Sequence, residues 1–221
     1  MKMSAPKGIC VIGLGNFGTN LALTLAKTKQ VLVIDEDQTK IDRIGDSVAN
    51  AVCGDATNEA VLRAAGIKNC ECAVVCMENE LSNSILITLL LKELGISKIV
   101  VRATDERSKK VLLKVGADFV VLPEKESGTK LAYTLSRRGM VDYFAPSGDF
   151  SIVEIVTPKS WVGKSVIELD IRKKYEVSII AVAFQGNDKF TLLADPNRKF
   201  SENELLVIAG GNKAIEKLTS K

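Results

Sequence analysis

Apolar and polar positions follow two different rhythms along this chain. Through the first 140 residues, short apolar runs alternate with longer segments of helical spacing. The runs fall at residues 9–12, 31–34, 48–53, 73–77, 99–102 and 119–122. Such runs, bounded by small or turn-forming residues, predict strands buried on both faces, as in a parallel sheet. Between them lie helical patterns. Phe17, Leu21 and Leu25 share one side of a helix starting near Asn16, and Ile41 and Ile44 follow the acidic start Glu36-Asp37. Thr57 is the expected N-cap of a helix carrying Val61, Leu62 and Ala65 and ended by Gly66. A longer helix spans 81–94 up to Gly95, and another holds 109–115 up to Gly116. Six strands separated by helices of this length predict a doubly wound α/β fold with right-handed crossovers.

The rhythm then changes. Residues 124–143 predict one more helix, and Ser147-Gly148-Asp149 a turn. Short strands are expected over 152–156, 177–184, 190–193 and 205–208, and Ser165 with Glu168 forms a capping box opening a short helix. A last helix starts near Asn212. Short strands with few helices predict a small, separate α+β domain, so the expected division is 1–144 and 145–221.

The first strand runs directly into Gly13-Leu14-Gly15-Asn16-Phe17-Gly18, a GxGxxG stretch between a strand and a helix. Gly13 permits the tight turn, Gly15 lets a pyrophosphate approach the backbone, and Gly18 lets the helix press on the sheet. The free amides at the helix start then face the phosphates. The second strand ends in Asp35, where a carboxylate would bind the ribose hydroxyls of an adenosine. Together these features predict a Rossmann-type nucleotide-binding domain; the alternative is a structural glycine turn beside an acidic strand end. Asp35 also disfavours NADP, whose 2′-phosphate would meet a carboxylate.

In the 81–94 helix, Ile85, Leu86, Ile87, Leu89, Leu90 and Leu91 surround the axis. A helix covering one sheet face needs one apolar stripe, so the extra faces predict self-association; the alternative is a neighbouring helix of the same domain.

Composition narrows the function. The chain has 221 residues, 46% of them hydrophobic, and a net charge of +3, too small to argue for nucleic acid. The basic groups Arg137-Arg138 and Arg172-Lys173-Lys174 read as solvated helix faces. No secretory signal and no stretch near the ~20 apolar residues of a membrane span is found, which predicts a soluble, cytoplasmic protein. The five cysteines include no CxxC and there is no histidine, so zinc spacings are absent. Cys10, Cys53 and Cys76 fall in predicted buried strands, and Cys70-Glu71-Cys72 read as reduced, inert thiols. Gly163-Lys164-Ser165 ends like a P-loop, but Pro158 occupies the position of the required second glycine. A dehydrogenase needs an acid/base group; none of Tyr133, Tyr143 and Tyr175 has a lysine four residues on. A nucleotide cradle without catalytic groups fits a sensor, not an enzyme. An NAD-dependent oxidoreductase and a regulator of some other cation transporter are the competing readings.

Several segments in order resemble the RCK (KTN) family of cytosolic subunits that regulate potassium channels and transporters. They are GLGNFG, Val33-Ile34-Asp35, Gly54-Asp55-Ala56-Thr57, Leu89 to Gly95, Val101-Arg102-Ala103, Val115-Gly116-Ala117-Asp118 with Pro123-Glu124, Ser151 to Glu154, Val162 to Ser165, and Leu169 to Arg172. The resemblance implies an RCK-N Rossmann domain followed by an RCK-C domain. It also implies a homodimer assembled into an octameric ring beneath a membrane potassium pore, at the cytoplasmic face. Exchange of an adenine nucleotide (ATP, ADP, AMP or NAD(H)) would reshape the ring. By position, Gly13, Gly15, Asn16, Phe17 and Gly18 would hold phosphates, Asp35 the ribose and Asp55-Ala56 the adenine. Arg102 would lie near the phosphates, and Glu124 matches an acidic residue that in some members helps hold a divalent cation. Arg172 matches the arginine of a cyclic di-AMP site in RCK-C, with Ser178 where those members carry asparagine. Members responding to ATP often have arginine at the fourth motif position; Asn16 lacks that charge, which favours NAD(H) or a monophosphate.

Overall fold

Six short aliphatic runs lie side by side, the first five each followed by a helix that returns the chain to the same end of the sheet. The computed structural model describes residues 8–77, 80–136, 140–147, 149–184, 190–192 and 195–219. The first half runs β1 (Gly8–Ile12), α1 (Asn16–Ala26), β2 (Val31–Asp35), α2 (Gln38–Ile44), β3 (Asn50–Cys53) and α3 (Glu59–Ala64). It continues with β4 (Cys70–Val75), α4 (Leu81–Glu93), β5 (Lys98–Arg102), α5 (Glu106–Val115) and β6 (Phe119–Val121). The strands pair in parallel in the order β3-β2-β1-β4-β5-β6. This is the doubly wound Rossmann arrangement that the alternation predicts.

Period-two packing sorts the strand residues onto two cores. Cys10, Ile12, Leu32, Ile34, Ala73 and Val75 join one face with Leu62, Ile87, Leu91 and Leu112. Val11, Val33, Val74 and Cys76 join the other with Ala22, Ile41 and Ile44. All five residues of β2 are buried, so hydrocarbon covers it on both sides.

The chain divides into two compact units, Met1–Lys125 and Glu126–Lys221. By contacts the division falls inside α6 (Pro123–Ser136), earlier than the expected 144/145. The second unit contains β7 (Met140–Ser147), β8 (Phe150–Val156), α7 (Val166–Leu169), α8 (Ile171–Tyr175), β9 (Val177–Phe184), β10 (Thr191–Leu192), β11 (Glu204–Gly211) and α9 (Asn212–Thr219). Its antiparallel sheet has the order β10-β9-β11-β8-β7. Trp161, Phe200, Leu206, Ile208 and Ile215 form its core, with the Tyr175 ring 5.0 Å from Trp161 in an edge-on contact. Fully buried Glu204 pairs with the Arg198 guanidinium and accepts the Ser201 amide at 3.2 Å. The Ser165–Glu168 capping box forms as the sequence requires.

Four expectations need correction. The helix expected over 124–143 ends at Ser136, and residues 140–147 form β7. Val141, Tyr143 and Phe144 favour an extended chain, and pairing with β8 brings Asp142 opposite Glu154 and Tyr143 opposite Val153. Thr57 is not the N-cap of α3. Asn58 accepts the Ala60 amide at 2.9 Å, while Thr57 donates its amide and hydroxyl to Asp55. Cys53, expected in a buried strand, is exposed at the end of the edge strand β3, its thiol donating to the Glu36 carbonyl. β4 begins at Cys70, three residues before the expected start, because Gly8 of β1 pairs with Cys70. Arg137, Arg138, Gly148 and Leu193 lie outside the described residues.

The capping assignment is testable. Asn58→Ala lowers the stability of the first unit by about 1 kcal/mol in urea unfolding; a change below the error of the measurement contradicts it.

Candidate functional site

Four strand ends meet at the carboxyl edge of the parallel sheet. β1 has β2 on one side and β4 on the other, so the connections leave it in opposite directions and open a crevice there. The cleft is lined by Gly13 and Gly15 after β1, Asp35 and Glu36 at the end of β2, and Gly54, Asp55 and Ala56 after β3. Lys40 of α2, Cys76 and Met77 after β4, and Glu80 and Asn83 at the start of α4 complete the lining.

Gly13 has φ of +92°, the left-handed region that glycine alone adopts freely. Its amide donates to the Ile34 carbonyl at 2.8 Å, tying the turn to β2. A Cβ on Gly18 would lie 1.9 Å from the Gly13 carbonyl oxygen, so α1 can approach the loop only with glycine there. Gly15 is the N-cap of α1 and supplies no side-chain acceptor, which leaves the first-turn amides to solvent or to an anion.

Asp35 is the joint of the site. Only 8% exposed, it accepts the Leu14 amide of the glycine loop at 2.6 Å and the Asp37 amide at 2.9 Å. The Lys40 ammonium stands 3.4 Å from both carboxylate oxygens. The carboxylate therefore holds the loop against β2 while one side of it faces the cleft. Asp55, on the opposite wall, accepts both the amide and hydroxyl of Thr57, which hold its carboxyl below the usual range. Ala56 beside it is buried and gives the wall an apolar surface.

Of the sequence-derived site residues, Gly13, Gly15, Asp35, Asp55 and Ala56 come together in the cleft. Gly18 packs behind it, and Phe17 is half-buried in the core under the other sheet face. Asn16 is exposed at the first position of α1, its carbonyl accepting the Asn20 side-chain amide at 2.8 Å. Arg102, at the end of β5, has a largely buried side chain paired with Glu124. That hydrogen bond holds the Glu124 carboxyl below its ordinary value. The Arg102 charge reaches the cleft wall, where it partly offsets the burial that pushes the Cys76 thiol up to about 12. No group of three or more metal-ligating side chains occurs among the described residues. In the second unit, Arg172 is exposed on α8 and Ser178 is half-buried on β9, opposite Ala209. Sequence reasoning missed Lys40, Glu80 and Asn83. Lys40 had a usable signal, since the first turn of α2 brings it back over the end of β2.

Burial decides thiol chemistry here. The Cys70 thiol is pushed up to about 11 by burial, and Cys10 rises well above its ordinary value for the same reason. At pH 8 an alkylating reagent therefore modifies Cys53 in the native protein and leaves Cys10, Cys70 and Cys76 intact, as peptide mass mapping would show. Labelling of Cys10 or Cys76 at the rate of Cys53 contradicts the burial described.

Comparison with known proteins bears on this cleft. The TrkA-N domain family model matches residues 9–123 and the TrkA-C domain model residues 150–221. Ktr system potassium uptake protein C of Bacillus subtilis is 37% identical over 177 residues, covering 80% of this chain and 80% of that protein. Ktr system potassium uptake protein A of the same organism is 36% identical over 216 residues, 97% of this chain and 96% of that protein. The structure of the GsuK channel bound to NAD superposes with a TM-score of 0.69 at 19% identity, covering all of this chain and 41% of that one. At that identity the likeness shows the fold alone. The GsuK structure bound to ADP matches with a TM-score of 0.50 at 34% identity, over 57% of this chain and 33% of that one. This chain thus spans about two fifths or less of those channel chains.

Proposed function

We infer the function from one premise: the chain belongs to the TrkA-N/TrkA-C family, whose members include the Ktr potassium uptake proteins. In this reading it is a cytosolic, nucleotide-sensing regulatory subunit that gates a membrane potassium channel or transporter, and not an enzyme. The observation that carries the reading is Asp35, joined to the glycine loop at the mouth of a crevice at the sheet's switch point.

The ligand is an adenine nucleotide, a class supported by relatives whose structures hold ADP and NAD. Its phosphates rest on the Gly13–Gly18 turn, where uncapped helix amides attract an anion. Asp35 takes the ribose hydroxyls, Asp55-Ala56 flank the adenine, and the Arg102–Glu124 pair stands by the phosphates, with Glu124 available to a divalent cation. Arg172 and Ser178 belong to a second ligand site in the C-terminal domain, for cyclic di-AMP.

Self-association supports the gating role. Leu86 and Leu89 of α4 and Val111 and Leu113 of α5 are each about 40% exposed on neighbouring helices of the same unit. An apolar surface of that kind fits a homodimer, and through it an octameric ring on the cytoplasmic face of the membrane protein. No helix among the described residues is long and apolar enough to cross a membrane, and in this reading the pore is formed by a membrane partner. A ligand shifts such a ring only by its difference in affinity between two shapes, about 1–3 kcal/mol per coupled site. Repeated sites add these increments.

The test is Asp35→Asn, which keeps the shape and an acceptor for the Leu14 amide but removes the charge. Calorimetric titration with ADP and NAD gives at least a tenfold loss of affinity, with circular dichroism unchanged. Unchanged affinity in a folded variant removes Asp35, and with it this site, from the account.

A further inference from the structure

The charge around the cleft is unusual for a seat that receives phosphates. Among the described lining residues are four carboxylates, Asp35, Glu36, Asp55 and Glu80, and one ammonium, Lys40. Lys40 is already committed: it stands 3.4 Å from both oxygens of Asp35, so the two charges cancel at the wall. Glu36, Asp55 and Glu80 are exposed to the cleft mouth. The bonds that hold the last two are neutral, from Thr57 to Asp55 and from the Asn83 amide to Glu80. The Arg102 charge reaches the wall at Cys76 but is paired with Glu124, so the two bring no net charge to the cleft. At the motif position nearest the helix start the side chain is the neutral Asn16. Among the described residues, what remains to receive an anion is the set of backbone amides at the start of α1, whose attraction is confined to the first turn.

These observations set two opposed fields in one cleft. The helix amides hold one phosphate group, and the three carboxylates repel every charge beyond it. Two unit charges several ångströms apart at a wet protein surface interact by enough to change affinity several-fold, and the repulsion adds with each further phosphate. We propose that this cleft selects adenine nucleotides by low phosphate charge, holding AMP more tightly than ADP and ADP more tightly than ATP. The proposal rests on the nucleotide-seat reading above and adds its direction. Phosphate charge becomes a penalty, with Glu36 and Glu80 the residues that impose it. A sensor built in this way responds to the spent forms of the adenylate pool instead of the charged form.

The experiment is calorimetric titration of the full chain with AMP, ADP and ATP in EDTA, at low salt and at 1 M salt. At low salt AMP binds at least tenfold more tightly than ATP, with ADP between. At 1 M salt, where the screening length is about 3 Å, the ratio of AMP to ATP affinity falls by at least threefold. The double variant Glu36→Gln with Glu80→Gln leaves the adenine wall untouched and keeps an acceptor for Asn83. It raises ATP affinity about tenfold at low salt while AMP stays within threefold. ATP binding as tightly as AMP in the wild-type chain overturns the proposal, as does a double variant with an unchanged ratio. If none of the three nucleotides binds, the nucleotide seat itself fails. If all three bind alike, the seat stands and only the selection by charge is lost.

Discussion

Everything at the functional end of this chain depends on how a single buried carboxylate is satisfied. Asp35 is held at the end of β2 with hydrocarbon on both sides of the strand, where an unpaired charge would be untenable. It meets that demand by accepting the Leu14 and Asp37 amides and the Lys40 ammonium. A carboxylate–amide hydrogen bond contributes about 1.5–3 kcal/mol, enough to fix a glycine loop that would otherwise sample many shapes. The same bond fixes the start of α1, since Leu14 lies between the strand and the helix. The geometry that would receive a phosphate is therefore prepared by the group that would receive a ribose.

That economy explains why the glycine loop and carboxylate of the candidate site were legible in the sequence. Gly13 and Gly18 have no alternatives, the one because of its left-handed backbone and the other because a Cβ would collide with a carbonyl. Asp35 follows from the end of an apolar run. The alternation of strands and helices is a long-range rhythm that survives errors at individual ends, so a six-stranded doubly wound sheet could be anticipated. What escaped were properties that arise only when elements meet. Asn58 and Thr57 are both capable caps, and the Asp55 carboxylate decides between them by taking Thr57. Residues 140–147 carry a pattern readable as helix or strand, and the pairing partner β8 resolves it. Lys40 reaches the cleft from the first turn of α2, and Glu80 and Asn83 reach it together from the start of α4, where no local motif announces such convergence.

The second unit is organised differently, around Trp161, Phe200 and a buried Glu204–Arg198 pair beneath an antiparallel sheet. The first unit carries the cleft and an apolar surface on α4 and α5. Within the family to which the chain belongs, this division of labour suits a subunit that converts a small-molecule signal into a change of assembly. In the proposed ring, the ligand would need only a modest preference for one shape, because the preference would be repeated at every site.

The most direct measurement is a crystal structure of the full chain with a bound adenine nucleotide. The account predicts ribose hydroxyls on Asp35, the base against Ala56, and the first phosphate over the amides of Asn16 and its neighbours. A nucleotide bound away from Asp35, or a Leu14–Asp35 hydrogen bond broken in the complex, would contradict it.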